Sequence, residues 1–111
     1  MSVTVERHTS GTGEIVTVTY DRQAKLNSLD SVGIASLSGA FKALADDQEM
    51  RAVVLTGAGS KSFVGGADIN ELNGLDADSG RAFISSLHDL FVLIRELPVP
   101  VIARANGYCL G

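Results

Sequence analysis

Residues 14–56 contain the pattern that most clearly indicates the fold class of this chain. Their sequence is EIVTVTYDRQAKLNSLDSVGIASLSGAFKALADDQEMRAVVLT. It opens with β-branched residues that alternate with polar ones, which predicts a strand over 14–20. Asp30 is a plausible N-cap for a helix, because apolar residues follow it at helical spacing. Those residues are Ile34, Leu37, Phe41 and Leu44. The apolar run 52–56 predicts a second strand, buried on both faces. A strand, a helix and a strand in succession indicate a right-handed crossover.

The segments on either side extend this α/β pattern. Val3-Thr4-Val5 and the glycine turn at 11–13 predict a hairpin with the strand at 14–20. A glycine-rich loop over 57–66 leads into a short helical start over 67–72. A second helix is expected from about Ser79 to Leu97, where Pro98 stops it, followed by a buried strand over 99–103. The buried face of that helix is expected to carry Phe83, Leu87, Leu90, Ile94 and Leu97.

Composition narrows the class of protein. Over 111 residues, 45% are hydrophobic and 20% are charged, which is typical of one soluble globular domain. The net charge of −4, without any basic run, argues against a nucleic-acid binder. No apolar stretch reaches the roughly 20 residues that span a bilayer. The single cysteine, Cys109, excludes an intramolecular disulfide framework and favours a reducing compartment. With no signal or transit peptide pattern at the N-terminus, we expect a cytoplasmic protein without membrane association.

Several motifs that could indicate a ligand-binding or catalytic site lack residues that such sites require. The loop 57–66 lacks the glycine that a P-loop needs before Lys61-Ser62, and Ser62 stands where the dinucleotide fingerprint needs its last glycine. Asp76 to Gly80 lacks the ligands of a calcium loop, and helix capping by Asp78 or Ser79 explains it better. His88 has no metal-ligand partner at a suitable spacing, and Cys109 has no activating neighbour. We therefore expect no metal.

The segment Phe63-Val64-Gly65-Gly66-Ala67-Asp68-Ile69-Asn70-Glu71-Leu72 has the ingredients of an oxyanion hole. Paired glycines permit a close backbone approach, and Ala67 offers an N–H without a bulky side chain in front of it. The helix that begins there points its positive end the same way. A glycine turn with N-terminal capping by Asp68 explains the same residues, and taken alone this interpretation is the simpler one.

Four motifs together, in this order and spacing, resemble the enoyl-CoA hydratase/isomerase family, also called crotonases. They are residues 21–29, 51–57, 62–69 and 98–111, and they cover nearly the whole chain. The resemblance implies a crotonase-like α/β spiral of ββα units and association into homotrimers or hexamers. It also implies an acyl-CoA thioester substrate, of which coenzyme A is part, so that no separate cofactor is expected.

The resemblance also implies roles for individual residues. Ala67 matches the position whose backbone N–H forms one half of the family's oxyanion hole. The CoA and acyl-thioester site would be lined by two segments, with two further residues beside the acyl pocket. The first segment is Ala24, Lys25 and Leu26, the second is Gly66, Ala67, Asp68, Ile69 and Asn70, and the residues beside the acyl pocket are Tyr108 and Leu110.

The departures from the family pattern limit what the chain can do. The second oxyanion donor of the hydratases follows the position of Gly111, and their two catalytic glutamates lie further downstream. We therefore interpret residues 1–111 as the N-terminal part of one crotonase domain and expect the 111-residue chain alone to be inactive. Gln23 replaces the usual proline. Asn70 stands where a lysine near the CoA phosphates is frequent, which puts phosphate anchoring by that side chain in doubt.

Enoyl-CoA hydratase, which adds water syn across the double bond of a 2-enoyl-CoA, is the activity expected of the intact protein. Isomerases, dehydratases and hydrolases of the family share this N-terminal half, so these activities remain alternatives. A non-catalytic fragment for CoA binding or subunit association is an alternative of another class. RNA binding, found among some relatives of the fold, is disfavoured by the acidic balance.

Overall fold

The computed structural model describes residues 2–111, in which a four-stranded sheet is covered by helices. The strands of this sheet stand in the order β1-β2-β3-β5. In chain order the elements are β1 (Ser2–Ser10), β2 (Gly13–Asp21), a 3₁₀ helix (Gln23–Lys25), α1 (Ser31–Leu44), β3 (Met50–Gly57), β4 (Ser62–Val64), α2 (Ile69–Asn73), α3 (Ala77–Arg95), β5 (Val101–Arg104) and β6 (Tyr108–Cys109).

The expected hairpin and crossover are both confirmed. β1 pairs antiparallel with β2, with Val5 opposite Val18. β2 pairs parallel with β3, and β3 with β5, so the helix α1 connects two neighbouring parallel strands. Because parallel strands share their direction, the loops that leave β2, β3 and β5 all emerge at one edge of the sheet.

The core lies between the sheet and α1, with α3 packed against α1. It contains the predicted stripe of α1, the inward residues of β2 and Val53 of β3, and all of these are buried. On α3 only Phe83 and Leu90 are fully buried, while Leu87 and Ile94 are partly covered. No helix within residues 2–111 is both long enough and apolar enough to cross a bilayer.

The structure corrects three of the expected features. Strand 99–103 was expected to be buried, but β5 begins at Val101 and is largely exposed, because within residues 2–111 it packs mainly on β3. On β3, Val54 and Leu55 are only partly buried. α3 spans Ala77–Arg95, so it begins before Ser79 and ends before Leu97. Asp76, rather than Asp78 or Ser79, is its N-cap, and the Asp76 side chain accepts a hydrogen bond from the N–H of Ser79 at 2.8 Å.

The helix α1 lies close to the sheet at Gly33. A Cβ added there would overlap the phenolic oxygen of Tyr20, whose O–H donates to the carbonyl of Ser28 at 2.7 Å. Tyr20 is buried, and this burial raises the pKa of its phenol to about 12. The tyrosine therefore has little room to move away from a side chain at position 33.

Gly33→Ala is expected to destabilise the fold. Alanine improves helix propensity by about 1 kcal/mol, but overpacking against Tyr20 costs about 1–3 kcal/mol. Urea unfolding measures the balance. Gly39→Ala is the matched control in the same helix, because a Cβ there meets nothing within 4 Å, and it should stabilise the fold. Equal effects of the two substitutions would contradict the close approach.

Candidate active site

The candidate site lies at the carboxyl ends of three parallel strands. Ligands of open parallel sheets bind at this edge, where the connecting loops meet. A cleft of about 210 Å³ opens here between residues 23–27 and 58–62. Another cavity of about 410 Å³ lies beside Met50, at the opposite end of β3, and has no part in this loop cluster.

Asn27 fixes the loop that leaves β2. It is buried and its backbone has a positive φ of 55°. Its side-chain oxygen accepts from the N–H of Arg22 at 2.8 Å, and its amide nitrogen donates to the carbonyls of Ser62 at 2.8 Å and Ala58 at 3.1 Å. One side chain thus ties the loop after β2 to the loop after β3. In the sequence, Asn27 is recognisable only as part of the motif 21–29, and its neighbours there do not indicate this role.

Asn106 fixes the segment that follows β5, as Asn27 fixes the loop that leaves β2. Its amide nitrogen donates to the carbonyls of Gly57 and Gly59, each at 2.8 Å, and its oxygen accepts from the N–H of Gly57 at 3.2 Å. The chain then runs parallel to β4, with the N–H of Leu110 donating to Val64 at 3.0 Å. In the sequence, Asn106-Gly107 predicts only a turn. The hydrogen bonds of Asn106 to the loop after β3 were therefore not predicted.

The peptide between Gly66 and Ala67 has a defined direction. The carbonyl of Gly66 accepts from the N–H of Leu29 at 2.8 Å, and the N–H of Asp68 donates to the carbonyl of Leu29 at 2.8 Å. No cis peptide occurs in residues 2–111, and a trans peptide points its C=O and N–H in opposite directions. The N–H of Ala67 therefore points away from Leu29. Within the described chain, this N–H has no hydrogen-bond acceptor.

Gly66 and Gly111 face each other beside this N–H. Their φ angles are +96° and +99°, in the region that favours glycine. A Cβ added to Gly111 would lie 2.7 Å from the Cα of Gly66 and 3.8 Å from the nitrogen of Ala67. Glycine at both positions thus keeps the space near the Ala67 N–H clear of side chains. A free N–H beside this close contact is able to donate to an oxygen that carries developing negative charge.

The side chain of Asp68 is bound within the protein. Its Oδ1 accepts from the N–H of Glu71 at 3.0 Å, which confirms the expected capping of α2. Its Oδ2 lies 2.6 Å from Nη1 of Arg22. Together with the backbone hydrogen bonds that it accepts, the Arg22 guanidinium holds the pKa of this carboxyl below its ordinary value. Asp68 is therefore ionised at neutral pH and acts as a structural anion.

The other residues expected to line the site surround the same loops. Ser62 Oγ donates to the carbonyls of Leu26 at 2.7 Å and Tyr108 at 3.3 Å, which brings the three loops together. The side chains themselves are exposed, Ile69 to 71% and both Tyr108 and Leu110 to 60%. Ala24, Lys25, Leu26 and Asn70 are exposed as well. The loops therefore present an open apolar surface beside the Ala67 N–H.

Within residues 2–111, no group of three or more histidine, cysteine, aspartate or glutamate side chains is arranged to hold a metal ion. His88 lies exposed on α3, and Cys109 is an exposed free thiol on β6.

Folding stability is expected to fall in acid through Asp68. Because its folded pKa lies below its unfolded value of about 3.9, its contribution is present above that value. The contribution is lost as the pH falls below about 4 and through the folded pKa. Urea unfolding between pH 6 and pH 3 measures this loss. Asp68→Asn should show a shallower acid dependence than the parent chain, and an identical dependence would show that the carboxylate is not paired in solution.

Comparisons with known proteins agree with this geometry. Residues 10–111 match the family model described as enoyl-CoA hydratase/isomerase. The chain is 39% identical over 99 residues to a short-chain-enoyl-CoA hydratase of Clostridium acetobutylicum, covering 89% of this chain and 38% of that protein. It is 36% identical over 107 residues to a carnitinyl-CoA dehydratase of Salmonella enteritidis, covering 94% of this chain and 39% of that protein. It superposes on the crystal structure of an enoyl-CoA hydratase from Bacillus anthracis with a TM-score of 0.87 at 29% identity, covering 96% of this chain and 40% of that one.

Proposed function

The chain belongs to the enoyl-CoA hydratase/isomerase family and has part of the crotonase fold, and from this premise we propose that it supplies half of an acyl-CoA thioester site. The proposed activity is hydration of 2-enoyl-CoA. The observation that carries the proposal is the N–H of Ala67, which has no acceptor within residues 2–111 and lies beside the close approach of Gly66 and Gly111. An unengaged backbone donor in a fixed direction is what an oxyanion hole needs.

Hydration of a conjugated thioester develops negative charge on the carbonyl oxygen. Water adds to the β-carbon, the double bond shifts toward the carbonyl, and an enolate forms before a proton reaches the α-carbon. An N–H fixed in place before the reaction stabilises this enolate more than it stabilises the neutral substrate, and so it lowers the barrier. In this proposal Ala67 supplies that donor.

The chain spans about two fifths of the length of the curated relatives that it matches. We infer that a longer protein, called the full-length protein below, contains residues 1–111 as the N-terminal part of one crotonase domain. In this proposal the second N–H donor follows Gly111, and the carboxylates that bind and activate water come from later residues. Asp68 is not available for that work, since it is paired with Arg22.

The remaining assignments follow from the same proposal. The exposed loop 24–26 and the segment 66–70 would contact CoA and the thioester, the Asp68 side chain excepted because it is paired with Arg22, and Tyr108 and Leu110 would flank the acyl chain. Coenzyme A enters as part of the substrate, and no separate cofactor is proposed. We also propose a homotrimer or hexamer in the cytoplasm. Exposed Ile84 and Phe91 on α3 are compatible with subunit contacts, and the free thiol of Cys109 fits a reducing compartment.

Hydration of crotonyl-CoA tests the proposal, followed by the loss of absorbance of its conjugated double bond. The full-length protein is expected to hydrate crotonyl-CoA, and the 111-residue chain is expected to be inactive. Hydration by the 111-residue chain would contradict the need for later carboxylates. Double-bond migration, dehydration or thioester hydrolysis without hydration would replace hydratase by another activity of the family. Acyl-CoA binding by the full-length protein without any turnover would favour a non-catalytic role.

A further inference from the structure

Arg22 holds together the two segments that set the direction of the Ala67 N–H. Its Nη1 donates to Asp68 Oδ2 at 2.6 Å and to Ser28 Oγ at 3.0 Å, and its Nη2 lies 3.4 Å from Asp30 Oδ2. Ser28 and Asp30 flank Leu29, and Asp68 follows Ala67. One guanidinium therefore bridges both sides of the Leu29–Ala67 contact.

The contact between Leu29 and Ala67 sets the direction of the Ala67 N–H. The Gly66 carbonyl accepts from the N–H of Leu29, and this bond turns the Ala67 N–H away from Leu29. If segment 66–68 moved away from Leu29, the peptide would lose the bond that fixes its orientation. Errors of about 1 Å in a reacting group can cost about 10²-fold in rate, so the tether has a direct catalytic consequence.

A second carboxylate binds the same region more loosely. Glu71 of α2 accepts from the backbone N–H of Ser31 at 3.0 Å and from its hydroxyl at 2.7 Å. These groups are exposed, whereas the side chains of Arg22 and Asp68 are only 17% and 8% exposed. Because shielded charge pairs are screened less by salt and water, the pair of Arg22 and Asp68 is the stronger tether.

We propose that Arg22 and Asp68 are positioning residues that hold the Ala67 N–H in its catalytic direction. The inference rests on the proposed function. Neither side chain is required to touch the substrate, and each acts through the peptide between Gly66 and Ala67. The pair therefore influences the transition state, in which the oxyanion develops, more than it influences the binding of the substrate.

Asp68→Asn in the full-length protein separates this role from helix capping, because asparagine also caps helices and has nearly the same size. We expect kcat for crotonyl-CoA hydration to fall about ten- to hundred-fold, with KM changed less than about threefold, as expected when an interaction of the transition state is weakened. Arg22→Lys keeps the positive charge but not the forked contact with Ser28 and Asp30. We expect its kcat to lie between the values of the parent and of Asp68→Asn.

Asp47→Asn is the matched control. Asp47 lies 2.7 Å from Arg7 and ties the end of α1 to β1, away from the loop cluster. Its loss tests whether breaking any aspartate–arginine pair lowers the rate. We expect the kcat of Asp47→Asn to stay within about twofold of the parent.

The ¹³C resonance of the carbonyl in bound [1-¹³C]butyryl-CoA gives a readout without turnover. In the parent protein it should move downfield on binding, since an oxyanion donor polarises the carbonyl. In Asp68→Asn and Arg22→Lys this displacement should shrink, with Kd nearly unchanged. An undiminished displacement, or equal kcat losses in Asp68→Asn and Asp47→Asn, would overturn the positioning role. If Asp68→Asn does not fold, the kcat and the ¹³C displacement of Arg22→Lys test the positioning role instead. A parent protein that does not bind butyryl-CoA would overturn the proposed function and this inference with it.

Discussion

Ala67→Pro in the full-length protein is expected to lower kcat for crotonyl-CoA hydration by about 10²–10³-fold, the usual effect of removing one oxyanion-hole donor. Proline has no backbone N–H, and its ring would occupy the place of that hydrogen. The substitution breaks no hydrogen bond donated by residue 67 within the described chain, since that N–H has no acceptor there. The carbonyl of Gly66 can still accept from Leu29. The loss should therefore appear in catalysis more than in stability.

Ala67→Ser is the control for this substitution. It keeps the N–H and changes only a small, partly buried side chain. We expect its kcat to stay within about tenfold of the parent, and thermal melting of both variants measures any structural damage. Ala67→Pro with a normal melt and parental kcat would remove Ala67 from the oxyanion hole.

Gly111→Ala is expected to produce a loss of similar size. The new methyl group would lie 2.7 Å from the Cα of Gly66, closer than real Cβ contacts allow, and the backbone at φ +99° disfavours any residue except glycine. The conformational strain alone costs about 1–3 kcal/mol. Relief of the overlap requires the two loops to separate, which displaces the Ala67 N–H. We expect kcat for crotonyl-CoA hydration to fall by about 10²-fold.

Gly11→Ala separates strain from displacement. Gly11 also has a positive φ, of 59°, but a Cβ there meets nothing within 4 Å, and it lies in the turn of the β1–β2 hairpin. This variant should lose stability in a urea melt and keep the parental kcat. If Gly11→Ala lowers kcat as much as Gly111→Ala does, then general destabilisation explains both and the close approach of Gly111 to Gly66 has no special part in the reaction.

Local patterns were sufficient to predict the main elements. The stripe on α1 is buried as expected, and its predicted N-cap, Asp30, accepts from the N–H of Gly33 at 2.8 Å. The parallel pairing of β2 with β3 follows from the connection through a single helix. These features were predictable because each depends on residues that are close in sequence.

The short elements and the exposed edge were not predictable in the same way. β4 and β6 have three and two residues, too few for any periodic signal, and they exist because Asn106 holds the later segment beside the earlier one. β5 is as apolar as a buried strand, but its side chains are exposed because β5 packs mainly on β3 within residues 2–111. Position within a sheet is a property of the whole fold.

The candidate site also combines features that the sequence predicts with features that it does not. The glycines and Ala67 were identified from their type and order, and the family resemblance gave their role. The direction of the Ala67 N–H depends on Leu29, which lies in another loop, and the pairing of Arg22 with Asp68 joins residues that are distant in sequence. Spacing along the chain contains no information about such contacts, so they emerged only from the three-dimensional structure.

The amide resonance of Ala67 shows whether its N–H donates to the thioester carbonyl. The full-length protein labelled with ¹⁵N-alanine would be titrated with butyryl-CoA, which has no double bond to hydrate, and Ala67→Ser would assign the cross-peak. The Ala67 amide proton is expected to move downfield in proportion to saturation, because it gains the thioester carbonyl as an acceptor. Saturable binding of butyryl-CoA with an unmoved Ala67 cross-peak would show that this N–H does not donate to the thioester, and Ala67 would have no part in an oxyanion hole.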